Sequence, residues 1–257
     1  MRTVFLDTSA LRHAADRRIV PTTYQKTITW GGRQHAVELV RWTAIDPNRK
    51  LAEEFRKQLL LLPLFAHLSR CGRLALVTHH EVHWELAGLP PSHDSRGLFY
   101  GAELGDAPDP FHYGRVLAGP LFDADTAWLR ILSEINDPDF LRLQKLTGAR
   151  QGDVIIGHQM LDAFHLLTAE RAHVDFFLTT DLGLVRAARS QRRHAAKVAV
   201  VDPKGLLGAL AAGRDLRLRD IVSYLRYWMR TRGAGPEGHP LEQLLKLGPS
   251  NKPKAGD

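Results

Sequence analysis

The chain has 257 residues, of which 44% are hydrophobic and 25% charged, with a formal net charge of +7. These values are ordinary for a globular protein and allow one large α/β domain. Cys71 is the only cysteine, which excludes an intramolecular disulfide, and the longest apolar runs, such as residues 59–64, are too short for a membrane span. The first predicted strand begins within a few residues of the start and leaves no room for a signal peptide, so we expect a cytoplasmic protein.

The predicted elements alternate between strands and helices along the chain. Short apolar runs predict strands at Thr3–Leu6, Leu74–Val77, Phe176–Thr179 and Val198–Val201. This alternation favours an α/β fold with a parallel, doubly wound sheet, and we predict one domain over residues 1–232.

Helix-start signals follow three of these strands. Thr78 and Glu81 form a capping-box pattern, Asp181 stands where it could cap a helix over Leu182–Arg189, and Asp202 precedes a proline at a first helical position. Further helices are predicted at Leu51–Ser69 (bent at Pro63), Asp125–Ile135, Pro138–Thr147, Gln151–Ala172 and an amphipathic segment from Leu218 to Met229 whose apolar stripe should pack on the core.

Three segments do not belong to this alternation. Residues 22–43 predict a β-hairpin, because Thr23–Trp30 and Arg33–Trp42 flank the two-residue turn Gly31-Gly32. Residues 88–122 are rich in Pro and Gly and predict a long irregular loop, of the kind that often forms a lid. Residues 233–257 predict a mobile basic tail.

Positive charge is concentrated toward the end of the chain. Residues 186–257 carry 15 Lys/Arg and 6 Asp/Glu, whereas the rest carries 20 and 22. Such a surplus suits a polyanionic substrate, and Arg186, Arg189, Arg192 and Arg193 could hold a phosphate backbone. A basic region that only keeps the chain soluble is an equally open interpretation.

Three aspartates stand in apolar surroundings. Asp7 and Asp181 each close an apolar strand, and the carboxyl ends of parallel strands are where ligands gather. Asp162 lies inside the apolar helical run Leu161–Leu167, where an ionised carboxylate is costly unless a charge or a metal compensates it. Carboxylates brought together repel by about 4 kcal/mol per pair at 4 Å for an effective dielectric of 20. The sequence therefore predicts a site for a divalent cation.

A fourth carboxylate is expected from the helix after Leu74–Val77. Glu81 and Glu85 lie four residues apart on one face of that helix. We assign Glu81 to the capping box and Glu85 to the site. The structural alternatives are that Asp7 is a turn or cap residue, that Asp181 is only a helix cap and that Glu85 is a solvated helix residue. Asp153 is interpreted as the cap of the helix that carries Asp162, with a role in the site as the alternative.

The sequence also suggests two other kinds of site, a zinc site and an aspartyl-phosphate site. His79, His80 and His83 suggest zinc, but the His80-Glu81-Val82-His83 spacing is one residue short of the metalloprotease motif. An aspartyl-phosphate enzyme also begins with an Asp after a strand, but it needs a second acid two residues later, where this chain has Ser9. His165 is predicted to pack or hydrogen bond near the aspartates.

Four stretches together resemble the PIN domain family. They are Phe5–Leu11 (FLDTSAL), Trp84–Leu86 (WEL), Leu161–Ala169 (LDAFHLLTA) and Phe177–Asp181 (FLTTD). The resemblance implies a three-layer α/β/α sandwich around a parallel sheet, with the hairpin and the 88–122 loop as insertions into a shorter family core. It also implies metal ligands at Asp7, Glu85, Asp162 and Asp181, and contacts to these ligands or to substrate from Thr8 or Ser9 and from Thr180.

Members of that family are metal-dependent nucleases, and many are ribonuclease toxins of toxin–antitoxin systems. The resemblance therefore implies one or two Mg²⁺ or Mn²⁺ ions and hydrolysis of phosphodiester bonds that leaves 5′-phosphate and 3′-hydroxyl ends. RNA is the expected partner, with a protein antitoxin and a homodimer as further expectations and no membrane. The alternative is a non-catalytic nucleic-acid-binding or assembly module that has kept the fold.

Overall fold

The computed structural model describes residues 1–15, 17–44, 51–86, 99–113, 124–213 and 215–232. Its strands are β1 (Arg2–Leu6), β2 (Arg17–Trp30), β3 (Arg33–Ala44), β4 (Leu74–Thr78), β5 (Gly105–Asp106), β6 (Arg150–Gln151), β7 (Val154–Ile155), β8 (Phe176–Leu178) and β9 (Ala199–Val201). Its α-helices are α1 (Thr8–Ala14), α2 (Glu53–Leu59), α3 (Leu62–Arg70), α4 (His80–Glu85), α5 (Ala124–Glu134), α6 (Pro138–Thr147), α7 (Gly157–Arg171), α8 (Leu182–Ser190), α9 (Pro203–Ala212) and α10 (Leu218–Arg232). The predicted tail 233–257 lies outside the described residues, as do 87–98 and 114–123 of the predicted loop.

A five-stranded parallel sheet in the order β5-β4-β1-β8-β9 forms the centre of the fold. The α/β class, the parallel sheet and the four predicted strands are confirmed. Strand β1 is central, with Phe5 paired to Val77 of β4 and to Phe177 of β8. Val4, Phe5 and Leu6 are fully buried, and the rings of Phe5 and Phe177 stack with centroids 5.4 Å apart. A strand buried on both faces reads as a continuous apolar run, which is why sequence alone located it.

The helices pack in two groups, consistent with a three-layer α/β/α arrangement. In one group α3 contacts α1, α10 and β4, and α9 contacts α2, β8 and β9. In the other group α7 contacts α5 and α6, and α6 contacts α8. Ile221, Tyr224 and Leu225 of α10 are buried, so this part of its apolar stripe packs on the core as predicted, whereas Leu218 at the start of the stripe is 63% exposed. Among the described helices, none combines the length and apolar character needed to cross a bilayer.

Three local predictions were wrong. The predicted helix over Leu51–Ser69 is two helices, α2 and α3, and Pro63 lies in the first turn of α3, where a missing N–H costs nothing. The helix predicted from Gln151 begins at Gly157, because residues 150–155 form the short hairpin β6–β7, and Asp153 lies in its turn rather than at a cap. The segment 88–122 is not irregular throughout, because its described part contributes β5 and buries Phe99.

The long hairpin formed by β2 and β3 contains the predicted Gly31-Gly32 turn. Both glycines have positive φ, +60° and +75°, which the two-residue turn requires. The strands are longer than predicted, running from Arg17 to Trp30 and from Arg33 to Ala44, with a register shift between Val20 and Thr23. Residues 24–36 are exposed, so this part of the hairpin presents its side chains to solvent rather than to the core.

Candidate active site

Asp7 is held at the buried end of the central strand. Leu6 pairs with Leu178, and the backbone N–H of Asp7 donates to the carbonyl of Leu178 at 3.1 Å. This register places Asp7 beside residue 179, immediately after β8. Asp7 is also the N-cap of α1, and its side chain is only 2% exposed. The parallel sheet therefore brings together residues that are 172 positions apart in the chain.

One oxygen of Asp7 is fully engaged by hydroxyl groups. Its Oδ2 accepts hydrogen bonds from Ser9 Oγ at 2.6 Å and from Thr179 Oγ1 at 2.8 Å. The two hydroxyl oxygens are themselves 2.9 Å apart. These bonds fix the orientation of the carboxylate, and they leave Oδ1 for a different partner.

Thr179 is a site residue that sequence reasoning missed. The resemblance pointed to Thr180, but Thr180 Oγ1 contacts His13 Nδ1 at 2.8 Å, whereas the Thr179 hydroxyl contacts Asp7 and also accepts from the N–H of Asp181 at 3.0 Å. The signal was available, because side chains alternate along a strand and Phe5 pairs with Phe177, which places Asp7 and Thr179 two residues later on the same side of the sheet. Thr8 has a buried Oγ1 without a hydrogen-bond partner among the described residues.

Replacing Thr179 by Val is expected to weaken both the fold and the affinity of the site for a cation. Valine keeps the shape of threonine but leaves Asp7 Oδ2 with one hydroxyl donor fewer. Loss of a donor to a buried acceptor typically lowers the free energy of unfolding by about 1–3 kcal/mol. If Asp7 binds a cation, apparent Mn²⁺ affinity should fall about 10- to 100-fold, as is typical when a partner of a metal ligand is removed. Calorimetric Mn²⁺ titration would measure this loss, with Thr180→Val as the matched control. Equal affinities for both variants would contradict the role of Thr179.

A buried histidine lies between two of the predicted metal ligands. His165, on α7, is 1% exposed, with Nδ1 3.4 Å from Asp7 Oδ1 and Nε2 3.0 Å from Glu85 Oε1. Neither contact is aligned as a hydrogen bond, so these are charge contacts between buried groups. His165 therefore lies next to Asp7 and Glu85 without a hydrogen bond to either.

The pKa values of these groups show that His165 acts as the cation of the site. Burial alone would lower the pKa of His165, but Glu85 and Asp7 outweigh it and raise that pKa to about 10. Burial would likewise raise the pKa of Asp7, but His165, Ser9 and Thr179 outweigh it and hold that pKa below its usual range. Asp7 is therefore ionised at neutral pH and His165 is charged.

The pKa of Asp162 is shifted in the opposite direction from that of Asp7. Asp162 is partly buried, and its pKa is raised well above its usual value, first by burial and then by the negative charge of Asp7, with further contributions from Asp181 and Glu85. His165 offsets only part of this. Asp162 therefore lies in a field of negative charge that a divalent cation would neutralise.

Asp181 caps a helix and also lines the cavity. It is the N-cap of α8, where its Oδ1 accepts from the N–H groups of Gly183 at 2.6 Å and Leu184 at 3.1 Å. It also lines the same cavity as the other three acids, on the exposed side. A capping carboxylate keeps a second oxygen available, so the cap does not exclude a ligand role.

The four acidic residues line one open cavity of about 560 Å³. They come from four places in the fold: Asp7 from the end of β1, Glu85 from α4, Asp162 from α7 and Asp181 from the start of α8. The remaining lining residues are Thr8, Ser9, Arg12, His13, Glu81, Trp84, Trp128, Leu129, Gly157, His158 and Leu161. The structure thus brings the four predicted acids to one cavity.

Glu81 is a fifth acid of this cavity, and its predicted role was wrong. The N-cap of α4 is His79, whose Nδ1 accepts from the N–H of Glu81 at 3.2 Å, while Thr78 still belongs to β4 and donates to the carbonyl of Leu6 at 3.1 Å. The capping box failed because the strand extends one residue further than predicted. The Glu81 side chain is buried and accepts from Tyr113 at 3.2 Å.

Cations near the cavity are not those expected from the sequence. Arg186 and Arg189 are exposed on α8 and do not line the cavity, and the Arg189 guanidinium lies close to Gly205 at the start of α9. The arginine that lines the cavity is Arg12, together with His13 and His158. The direction in which α8 presents its arginines depends on the rotation of that helix, which its basic sequence did not reveal.

His79, His80 and Asp109 form a tight group next to the cavity. Within the described part of the chain, this is the group whose three ligand atoms lie within 4.8 Å of one another. However, His79 Nδ1 accepts a backbone hydrogen bond, so its proton is on Nε2, which points at Asp109 Oδ1 2.9 Å away. A cation at Nε2 would force that proton onto Nδ1, against the N–H of Glu81. Burial also lowers the pKa of His79 to about 4, so the pair is a neutral imidazole donating to a carboxylate.

The residues of the main cavity fit Mg²⁺ or Mn²⁺ by the chemistry of their donor atoms. All four predicted ligands are carboxylates, the oxygen donors that hard divalent cations prefer. Glu85 Oε1 is buried and accepts no hydrogen bond in the described structure, and its nearby positive charge is the His165 ring, whose Nε2 lies 3.0 Å away. Their oxygens are spread more widely than the 4.8 Å of the His79 group, with the His165 ring between Asp7 and Glu85.

Comparisons of the chain with protein-family models, with curated proteins and with solved structures gave no match. The fold and the cavity therefore define the chain as an α/β protein with an acidic cleft at the carboxyl edge of a parallel sheet. What this cleft does has to be argued from its own side chains.

Proposed function

We propose that the chain is a metal-dependent nuclease of the PIN-domain type, which hydrolyses phosphodiester bonds and acts on RNA. The observation that carries this proposal is the convergence of Asp7, Glu85, Asp162 and Asp181 on one open cavity. Four carboxylates gathered from distant parts of a chain repel each other, and a stable fold does not need them there. Their arrangement is explained if a divalent cation binds among them.

The chain's own residues have separate tasks in this proposal. Asp7, Glu85, Asp162 and Asp181 would hold Mg²⁺ or Mn²⁺, while Ser9 and Thr179 keep Asp7 oriented. The chemistry that the cation supplies when bound is a lowered pKa for water and neutralisation of charge on the phosphate. Arg12 at the cavity is placed to attract the phosphate backbone, and His158 lines the same cavity as a hydrogen-bonding group. Products with 5′-phosphate and 3′-hydroxyl ends are expected.

The open shape of the cavity supports a polymeric substrate. Trp84, half exposed at the cavity and next to Glu85, offers an aromatic surface on which a base could stack. RNA rather than DNA, and a relation to toxin–antitoxin ribonucleases with an antitoxin partner, rest on the resemblance of the motifs around Asp7, Glu85, Asp162 and Asp181.

Cleavage of labelled nucleic acids tests the proposal. Native protein with Mn²⁺ or Mg²⁺ should cut single-stranded RNA, and EDTA should abolish the activity. Asp7→Asn should lower the rate by more than about 100-fold, because the change removes a metal ligand rather than a partner of one. Asp153→Asn is the matched control, since Asp153 is an exposed acid in the turn between β6 and β7.

The outcomes separate the proposal from its alternatives. Equal cleavage by native protein and Asp7→Asn would show that the activity is a contaminant and would overturn the assignment. Cleavage of DNA in preference to RNA would keep the site and change the substrate. Nucleic-acid binding without metal-dependent cleavage would favour the non-catalytic module.

A further inference from the structure

One face of the long hairpin carries aromatic and cationic side chains together. In an antiparallel pair, alternate residues of each strand and their cross-strand partners share a face. Ile28 pairs with His35, and Trp30 with Arg33. The Trp30 and His35 rings meet edge-on with centroids 6.5 Å apart, which confirms that they share a face. We call this surface the hairpin face and define it as Tyr24, Lys26, Ile28, Trp30, Arg33 and His35.

The hairpin face is exposed to an extent that is unusual for its composition. Trp30 is 77% exposed and Tyr24 45%, and Lys26, Arg33 and His35 are exposed as well. Large aromatic side chains left in water in this number mark an interaction surface. The opposite face carries Gln25, Thr27, Thr29, Gln34 and Ala36, which is ordinary polar strand surface.

The charge of the hairpin identifies the kind of partner. Strands β2 and β3 together contain five Lys/Arg and one acidic residue, Glu38. None of the six residues that define the hairpin face is acidic. Exposed aromatic rings interleaved with cations are the features that proteins use to stack bases and to neutralise the backbone of single-stranded nucleic acid.

We propose that the hairpin face is a binding platform for single-stranded nucleic acid, on which Trp30 and Tyr24 stack bases and Lys26 and Arg33 contact phosphates. From Tyr24 to Trp30 the platform extends about 20 Å along the strand, enough for several nucleotides. The cations also argue against a second copy of this chain as the occupant, because packing two such faces together would bring like charges into contact. This inference rests on the proposed function, since it concerns how the same substrate is held.

The test is fluorescence anisotropy with a labelled 12-nucleotide oligo(U) in EDTA, where no metal-dependent cleavage can occur. Trp30→Ala should raise the dissociation constant about tenfold, the usual loss for one stacked base. Lys26→Ala/Arg33→Ala should weaken binding and lower the slope of log affinity against log salt by about 1.4, at about 0.7 for each phosphate contact. Trp30→Phe should retain most of the affinity, and Thr27→Ala/Thr29→Ala on the opposite face should bind like native protein.

Three results would overturn the proposal. The first is equal binding by native protein and both hairpin-face variants, and the second is no binding of oligo(U) or oligo(dT) by native protein. The third is a native dimer in size-exclusion chromatography that Trp30→Ala converts to monomer, which would make a second copy the occupant. The proposed function is tested apart from this, by Mn²⁺-dependent hydrolysis with native protein and Asp7→Asn, so the two can fail independently.

Discussion

Asp162→Asn should stabilise the metal-free protein and abolish its stabilisation by Mn²⁺. Asn has the shape of Asp without the charge, so the change removes a carboxylate whose pKa is raised by burial and by Asp7, Asp181 and Glu85. Relief of that repulsion should raise the free energy of unfolding in EDTA by on the order of 1 kcal/mol. With Mn²⁺ at 100 times its dissociation constant, native protein should gain about 2.7 kcal/mol and the variant far less.

Thermal melting of both proteins in EDTA and in Mn²⁺ measures this reversal of order. Native protein should melt below the variant without metal and above it with metal. Asp153→Asn provides the comparison for loss of a carboxylate outside the cavity and should respond to Mn²⁺ as native protein does. If Asp162→Asn lowers stability in EDTA, Asp162 has a structural role and the electrostatic account of the cavity is wrong.

His165→Gln should destabilise the metal-free protein, and by more than Asp162→Asn stabilises it. It removes the positive charge that lies 3.0 Å from Glu85 and 3.4 Å from Asp7, and it leaves two carboxylates without their cation. Loss of one partner from a buried ion pair typically costs 3–5 kcal/mol, and we expect about 3 kcal/mol because Glu85 is partly open to solvent. Mn²⁺ should restore much of this stability, since it neutralises the same carboxylates.

Urea unfolding at neutral pH, with and without Mn²⁺, would measure both parts of this expectation. His158→Gln is the matched control, because His158 lies on the same helix and lines the same cavity but is exposed. The His158→Gln change should lower the free energy of unfolding only slightly. An equal loss for the two histidine variants, or no recovery of His165→Gln with Mn²⁺, would show that His165 does not stand in for a cation.

The positions of three acidic residues of the site could be predicted from the sequence, because they follow from the burial of the strands and helix that carry them. Strands β1 and β8 are buried on both faces, so they appear as short continuous apolar runs, and the residues after them must lie at one edge of a parallel sheet. This reasoning placed Asp7 and Asp181 at that edge. Asp162 was recognised because a carboxylate within an apolar helix stands out from its neighbours.

The predictions that were wrong depend on the direction in which a side chain points and on contacts between distant parts of the chain. Strand β5 has two residues and no apolar pattern, and it exists only because Gly105 can lie beside Val77. Thr179 rather than Thr180 holds Asp7, since a single residue changes the direction in which a side chain points at a strand end. The capping box predicted for Thr78 and Glu81 does not form, because β4 includes Thr78 and His79 is the N-cap of α4.

The histidine between the carboxylates shows a further limit of sequence reasoning. The i, i+3 spacing of Asp162 and His165 was visible, but the partners of His165 are Asp7 and Glu85, which only the tertiary structure brings near. The sequence indicated which carboxylates need a compensating charge, and the structure shows that His165 lies between two of them, Asp7 and Glu85.

Electron paramagnetic resonance of Mn²⁺ titrated into the protein tests the central claim most directly, because it reports bound metal independently of any nuclease activity. Native protein should remove the free-Mn²⁺ signal with a saturable stoichiometry of one or two ions, and Asp7→Asn and Asp162→Asn should each abolish or greatly weaken this binding. Asp153→Asn should bind as native protein does. Unchanged Mn²⁺ binding in the Asp7 and Asp162 variants, or no binding by native protein, would contradict a cation site built from these carboxylates.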